Sequence, residues 1–232
     1  MDYDRHYSPR HHRHRNRYHR QHRHYHSKPK SKLRAVHNVA GGPNVDIFVD
    51  GRLAVTNVPY KAISDYLLVD SGKHIVSTVP SSGGEPLTVV EIDLKPKTRY
   101  TAVVHGALSD GKIDTLALQD NISCPDRGNA HLRFVHAAAT VPAVDIYANG
   151  DKIFENVSYG QTGKPMYLPV PKNVYTVEVT PAGDDTVVLS ADLPLQDQQV
   201  YTVIASGLLD DKDYPIDALV SEDNHGMCVV LH

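Results

Sequence analysis

The feature that most constrains the fold of this chain is an internal repeat of about one hundred residues. A shift of 99 positions places residues 132–163 on residues 33–64 without a gap, and 13 of the 32 paired positions are identical. The identical pairs are Leu33/Leu132, Arg34/Arg133, Val36/Val135, His37/His136, Ala40/Ala139, Pro43/Pro142, Val45/Val144, Asp46/Asp145, Ile47/Ile146, Gly51/Gly150, Asn57/Asn156, Val58/Val157 and Tyr60/Tyr159. A repeat of this length is too long for a solenoid unit and matches a small domain. It predicts a tandem duplication, with domains over 33–124 and 132–232 and a linker over 125–131.

The repeat follows an N-terminal segment of quite different composition. Residues 1–32 contain ten Lys or Arg and two Asp, whereas residues 33–232 contain 14 Lys or Arg and 25 Asp or Glu. The formal charges are therefore +8 for the segment and −11 for the rest. Eight of the 15 histidines lie in the segment, which has no Val, Ile, Leu or Phe. Because it cannot bury enough apolar surface to offset the entropy of ordering, residues 1–32 are predicted to be a disordered tail, the N-terminal arm.

Both copies consist of short runs rich in Val, Ile, Tyr and Thr, separated by Gly, Pro, Asn and Asp. These runs predict about seven or eight short strands in each copy. Asp50-Gly51 and Asn149-Gly150 each stand between two runs and are typical of two-residue type I′ hairpins, which need positive φ at both central residues. No stretch shows a sustained helical period. We therefore expect an all-β chain of two tandem immunoglobulin-like antiparallel β-sandwiches behind the arm.

The same residues resemble a known family. The segments at 34–37, 43–51 and 57–60 are similar to the opening of the domain-of-unknown-function family 4397, which reads as a V-R-V-x-H strand, a P-x-V-D-V-Y-x-D-G hairpin and an N-V-x-Y segment. The second copy carries the pattern at 133–136, 144–150 and 156–159. The resemblance covers residues 33–232 and leaves out the arm. It implies an immunoglobulin-like β fold, often in tandem, in bacterial exported or surface proteins, and it implies no enzymatic activity.

Two histidines and two aspartates are the strongest candidates for chemistry: His37 with Asp46, and His136 with Asp145. A histidine and an aspartate on neighbouring strands could orient one another as in acyl-transfer catalysis. However, no Ser or Cys recurs beside them, and no Gly-x-Ser-x-Gly sequence is present. Each histidine also shares strand parity with apolar residues, which favours an inward ring held by a carboxylate or a backbone carbonyl. We interpret the four residues as structural polar pairs and expect no enzyme activity and no cofactor.

The cysteines and the arm histidines leave several alternatives open. Cys124 and Cys228 lie at equivalent ends of the two copies, so they could form a disulfide, pair with another subunit, or remain free thiols. Two cysteines exclude a four-thiolate zinc site, and the repeats contain no metal-binding spacing. No metal is therefore expected in the body. Arm histidines such as His11, His12 and His14 can bind a metal adventitiously, as any histidine-rich tract does.

The arm arginines predict contact with negative charge. The candidate anion-binding residues are Arg10, Arg13, Arg15, Arg17, Arg20 and Arg23. One hypothesis is sequence-independent binding of nucleic acid, with arginines on phosphates and Tyr or His stacking on bases. Another is docking on an acidic surface, such as the body of a neighbouring subunit, which would link subunits into a coat or fibre. The third is a solubilising tail without a specific partner. Because imidazole ionises near pH ~6.5, either interaction is expected to be pH-sensitive.

These observations favour a non-enzymatic structural or adhesive surface protein that self-assembles or anchors through its arm. The alternative is a polyanion-binding or nucleic-acid-binding protein whose sandwiches serve as interaction modules. No run approaches the roughly 18 apolar residues needed to span a membrane, so no transmembrane segment is expected. The first residues contain no apolar secretory segment. We therefore expect one of two situations. Either the protein is assembled in the cytosol and becomes part of the surface of a spore, appendage or virion, or a leader segment has been lost.

Overall fold

A computed structural model describes residues 28–120 and 123–224. These residues form β-strands and one 3₁₀ turn, with no α-helix among them. The first copy contains β1 (Lys30–Ala40), β2 (Val45–Val49), β3 (Arg52–Val58), β4 (Ala62–Ile63), β5 (Leu67–Asp70), β6 (Gly72–Pro80), β7 (Thr88–Leu94), β8 (Arg99–Ala107), the 3₁₀ turn Leu108–Asp110 and β9 (Lys112–Asp120). The second contains β10 (Asn129–His136), β11 (Val144–Ala148), β12 (Asp151–Val157), β13 (Gln161–Thr162), β14 (Leu168–Pro171), β15 (Asn173–Pro181), β16 (Leu189–Leu195), β17 (Val200–Ser206) and β18 (Asp217–Glu222). The all-β prediction is confirmed.

Each copy folds into two facing sheets. In the first copy these have the strand orders β3-β2-β6-β7 and β4-β1-β8-β9, with β5 also paired to β1. The second copy repeats both orders with its own strands, and aliphatic side chains fill the space between the sheets of each copy. The prediction of tandem sandwiches is therefore confirmed. One detail differs, because β1 runs parallel to β8, and β10 runs parallel to β17. No hairpin ties these pairs together, and the chain crosses through the opposite sheet between them, which is what parallel pairing requires.

The two sandwiches pack on each other through the sheets that contain β1 and β10. Val36 and Val103 of the first copy share an apolar cluster with Val135 and Ile204 of the second. The protein is therefore a stack of four sheets, with β1 and β10 in the two central layers. A central strand is covered on both faces, which explains why burial is nearly continuous along β1 instead of alternating.

The last three residues of the predicted arm belong to the first strand. β1 begins at Lys30, and its first four residues pair with β5. The Ser31 hydroxyl also donates to the Lys95 carbonyl at 2.5 Å. Backbone pairing, and not apolar burial, therefore orders this basic stretch. Residues 1–27, with the predicted anion-binding arginines and the candidate metal-binding histidines, lie outside the described residues. Within the described ranges, no helix is long and apolar enough to cross a membrane.

The two predicted hairpin turns lie where β2 meets β3 and where β11 meets β12. Asp50 and Gly51 have φ values of 51° and 72°, and Asn149 and Gly150 have values of 51° and 86°. Positive φ at both central positions is the geometry of a type I′ turn. The side chains also pin the turns to the neighbouring strand, since Asp50 accepts from the backbone N–H of Ile75 at 3.0 Å.

Candidate functional site

His37 and His136 are buried and lie at equivalent positions in the two sandwiches. The Nε2–H of each ring donates to a backbone carbonyl, that of Pro43 or Pro142, at 2.9 Å in both copies. Neither Nδ1 has a hydrogen-bond partner among the described residues, so a neutral ring with its proton on Nε2 fits both sites. Burial lowers the pKa of both imidazoles. The histidines therefore act as structural ties between a central strand and the loop that follows it.

Asp46 and Asp145, the predicted partners of these histidines, form their hydrogen bonds elsewhere. Asp46 accepts from the backbone N–H of Asn57 at 2.8 Å, and Asp145 accepts from that of Asn156 at 2.7 Å. Asp145 also accepts from Lys152 Nζ at 2.7 Å. The predicted His–Asp pairs do not form. Each carboxylate instead holds the end of the hairpin that begins with its own strand.

Strand parity explains why the pairs fail. Val45 and Ile47 point into the core of the first sandwich and are at most 2 % exposed. Asp46 lies between them on β2 and so points away from the core, whereas His37 on the opposite sheet points into it. A separation of a few residues in sequence therefore becomes a separation by a whole layer of the fold.

A buried network of two arginines and two aspartates joins the sandwiches, and the sequence analysis did not single it out. Arg133 is fully buried, with one terminal nitrogen 2.6 Å from Asp120 Oδ1 and 3.4 Å from Asp223 Oδ2. Arg34 places a terminal nitrogen 2.5 Å from Asp223 Oδ1. Each arginine therefore pairs with the aspartate of the other copy. The charges are balanced two against two, as buried charges require.

Hydroxyl groups complete the network in both halves. Arg34 Nε donates to the Thr101 hydroxyl at 2.8 Å, and Arg133 Nε donates to that of Thr202 at 2.9 Å. Each threonine in turn donates to the aspartate of its own copy. Tyr66 and Tyr167 donate to Asp120 and Asp223, both at 2.8 Å, and their rings lie under the guanidinium groups. The signal in the sequence was an arginine repeated in both copies within otherwise apolar strands.

A second set of contacts crosses the interface at the other end of β1 and β10. Tyr60 meets the Ser206 hydroxyl at 3.1 Å, and its counterpart Tyr159 meets His105 Nδ1 at 2.7 Å. Burial raises the pKa of Tyr159 to about 12 and lowers that of His105. These equivalent tyrosines with different partners show that the interface is only approximately symmetric.

Each sandwich also has a lateral cleft between the edge strands of its two sheets. The first cleft lies between β3 and β5 and has a volume of about 540 Å³. His74 closes its floor, with Nδ1 2.7 Å from Asp50 Oδ2 and Nε2 2.8 Å from the Asp70 carbonyl. Both partners are acceptors, so both bonds form together only when the ring carries two N–H groups. Its lining also contains Lys30 and Arg52, and Lys30 pairs with the Asp70 carboxylate at 2.7 Å.

The second cleft lies at the equivalent place, between β12 and β14, and has a volume of about 300 Å³. It is lined by Leu132, Ala148, Asp151, Ile153, Val170, Pro171, Tyr175, Val177, Leu193 and Leu195. Tyr175 takes the place of His74, and its hydroxyl donates to the Pro171 carbonyl at 2.9 Å. Asp151 is the one charged residue among this lining. The duplication therefore produced two clefts of the same construction, of which the first is lined by charges of both signs and the second is mostly apolar.

The remaining predicted residues can be placed only in part. Among the described residues, no group of three His, Cys, Asp or Glu side chains could hold a metal ion. Cys124 is disulfide-bonded, and Cys228 lies outside the described ranges.

The family of the chain follows from a match to a family model over most of its length. The model of the family described as "Domain of unknown function (DUF4397)" matches residues 31–147 and 130–227. The chain belongs to this family. The two DUF4397 matches begin close to β1 and β10, the first strands of the two sandwiches. No curated protein is similar to the chain at a significant level.

Two solved structures share a distant likeness with this DUF4397 protein. One is CBMbc, a family CBM26 module of Eubacterium rectale Amy13K in complex with maltoheptaose, with a TM-score of 0.27 and 10 % identity over 83 % of this chain and 96 % of that chain. The other is a product complex of the multi-modular glycogen-degrading pneumococcal virulence factor SpuA, with a TM-score of 0.26 and 12 % identity over 80 % of this chain and 21 % of that chain. Likenesses at this level do not bear on function.

Proposed function

We propose that this protein is a non-enzymatic structural or adhesive protein, in which the paired sandwiches form one stiff unit and the basic arm joins units or anchors them. The buried network carries this proposal. Arg133 bonds to both copies at once, so a hinge motion between the sandwiches would break these bonds and would also uncover the apolar cluster that the two copies share. An element that transmits force or keeps a spacing needs domains that do not hinge. Domains that close on a substrate need the opposite.

The state of the histidines supports a role without catalysis. Each buried ring uses its Nε2 proton on a backbone carbonyl, and the neighbouring aspartate faces the other side of its sheet. A general base needs an oriented partner and reach to a substrate proton. His37 and His136 have neither, since both are at most 1 % exposed. We therefore propose that the protein is not an enzyme.

The distribution of charge supports a role of the arm in assembly. The arm carries +8 and the rest of the chain −11, so the arm of one molecule is attracted to the body of another. The arm continues directly into β1, which is fixed in a central layer of the stack. A load on the arm would therefore pass into the rigid part of the protein.

The size of the protein in solution tests this function. Full-length protein and a variant that lacks residues 1–27 are compared by sedimentation velocity and electron microscopy at pH 6 and pH 8. We expect assemblies that require the arm and that change between the two pH values, since histidine charge changes over this range. Monomers in all four samples would contradict self-assembly through the arm.

The alternative is polyanion binding, which the same +8 charge favours. It predicts that duplex DNA retains the full-length protein and that the affinity falls steeply between about 50 and 200 mM salt. The slope of log affinity against log salt concentration should be roughly proportional to the number of phosphates that the protein neutralises. Retention that persists without residues 1–27 would exclude these residues, with all the arginines of the arm, as the binding element.

A further inference from the structure

The second cleft has the size and the surface of a receptor for an aromatic side chain. Its volume is about 300 Å³, and aliphatic side chains from both sheets form its walls. An apolar cavity of ~150 Å³ is enough to bind benzene, so this cleft has room for a phenol ring together with the chain that carries it. An exposed apolar cleft with few polar groups is typical of a ligand-binding or protein-binding site. The cleft therefore suits a ligand that carries a large apolar group.

Charge at the cleft rim distinguishes the two copies. Arg52 and Asp151 are the first residues after the two equivalent hairpin turns, and each lines its own cleft. A positively charged occupant meets Arg52 at the first cleft, where the carboxylates of Asp70 and Asp50 are already bonded to Lys30 and His74. At the second cleft it meets Asp151, the one charged residue of that lining. His74 and Tyr175 each tie the two sides of their own cleft through a backbone carbonyl, that of Asp70 or Pro171, and His74 also bonds to the Asp50 carboxylate at the hairpin turn. The second cleft is the one that suits a cationic aromatic ligand.

The chain itself contains such a ligand. Tyrosines are the only aromatic side chains of the arm apart from histidine, and they stand at positions 3, 7, 18 and 25. Tyr18 is the one with an arginine directly beside it, Arg17, and His19 follows it. Tyr3, in contrast, stands between two aspartates, which Asp151 would repel. Lys28 lies ten positions after Tyr18, a span of up to about 35 Å when extended, which is enough to reach a neighbouring molecule.

We propose that the second cleft of one molecule receives Tyr18 from the arm of another, with Arg17 paired to Asp151 at the rim. The inference rests on the proposed function and names the joint through which assembly occurs. The contact is made by side chains, because prolines at 169 and 171 remove backbone N–H groups from β14 and so block the addition of a strand there. An arm on one molecule and a cleft on the next make a head-to-tail contact, which repeats without closing unless the rotation returns to the start.

Four single substitutions in the full-length protein test the joint by sedimentation velocity. Tyr18→Ser and Asp151→Arg should each weaken self-association by at least about tenfold, the loss typical of truncating a central aromatic or charged anchor. The matched controls are Tyr3→Ser in the arm and Arg52→Asp at the first cleft, which should leave the association unchanged. Asp151→Arg copies the residue that the first sandwich already carries at this position, so its fold is expected to persist, and far-UV circular dichroism checks this. The double variant Arg17→Asp/Asp151→Arg should recover part of the loss.

The outcomes separate this joint from the broader proposal. If Tyr18→Ser and Asp151→Arg associate like the wild type while removal of residues 1–27 still abolishes association, the joint is wrong and arm-driven assembly stands. Weaker association of Asp151→Arg matched by equally tighter association of Arg52→Asp would also overturn the joint, because opposite effects of opposite charge changes would show a response to overall charge. A wild-type protein that is monomeric at all concentrations would overturn both.

Discussion

Replacing Arg133 with methionine removes one of the two positive charges in the buried network. Methionine is close in length and fills the space, so the main effect is that Asp120 and Asp223 share the single charge of Arg34. All of these carboxylate side chains are fully buried, so water cannot compensate. Removing one partner of a buried ion pair costs about 3–5 kcal/mol, and we expect a loss of stability in that range.

Urea unfolding measures this loss, because urea does not screen charge as guanidinium does. The chain has no tryptophan, so tyrosine fluorescence and far-UV circular dichroism follow the transition. The control is Lys61→Met, which also breaks an ion pair between the sandwiches. The Lys61–Asp217 pair is 2.8 Å long but partly exposed, and exposed pairs contribute less than about 1 kcal/mol. The wild-type protein should unfold in one transition, because unfolding of either sandwich would remove the interface contacts that stabilise the other.

A double variant tests whether uncompensated charge is the cause. Asp120→Asn together with Arg133→Met removes one charge of each sign, so its loss should be smaller than the sum of the two single losses, with a coupling of about 1–3 kcal/mol. A loss below about 1 kcal/mol for Arg133→Met, or strictly additive losses, would refute the reasoning. Two separate unfolding transitions in the wild type would refute the shared interface.

Two further predictions concern the histidines and one glycine. Because burial lowers the pKa of His37 and His136, their contribution is complete above about pH 6.5 and is lost as the pH falls below it, at up to about 1.4 kcal/mol per pH unit for each ring. The double variant His37→Gln/His136→Gln should therefore lose less stability between pH 7 and pH 5 in urea titrations, and an unchanged slope would contradict this. Gly106→Ala should destabilise by about 2–5 kcal/mol, because φ is +143° and the new Cβ would lie 2.4 Å from the Lys112 carbonyl oxygen. Gly111→Ala, at φ +62° with open space, should cost about 1 kcal/mol in thermal unfolding, and equal losses at the two sites would refute the steric argument.

The fold class followed from the sequence because its signals are local. Alternating apolar runs, two-residue turns such as Asn149-Gly150 and the 99-residue repeat each depend on neighbours in the chain. The interface did not follow, because its partners are far apart in sequence: Arg34 meets Asp223 across 189 positions. The repeat marked Arg34 and Arg133 as shared by the copies, yet it could not show that each arginine pairs with the other copy's aspartate. The pairing of His37 with Asp46 was wrong for a different reason. The two residues are close in sequence, but they lie on different sheets and Asp46 points away from the core.

The exchange of partners has a consequence for how this protein can assemble. Arg34 bonds to the second copy and Arg133 to the first, which is the pattern of a twofold dimer whose two subunits share one chain. Such a contact is closed, because each copy uses the same surface and the duplication saturates it. The proposed joint instead uses surfaces that differ between the copies. The clefts meet this condition, since Arg52 and Asp151 reverse the charge at one equivalent position, and the arm exists only once. The proposed joint therefore supplies one cleft for each arm, which is the ratio that a linear chain of molecules needs.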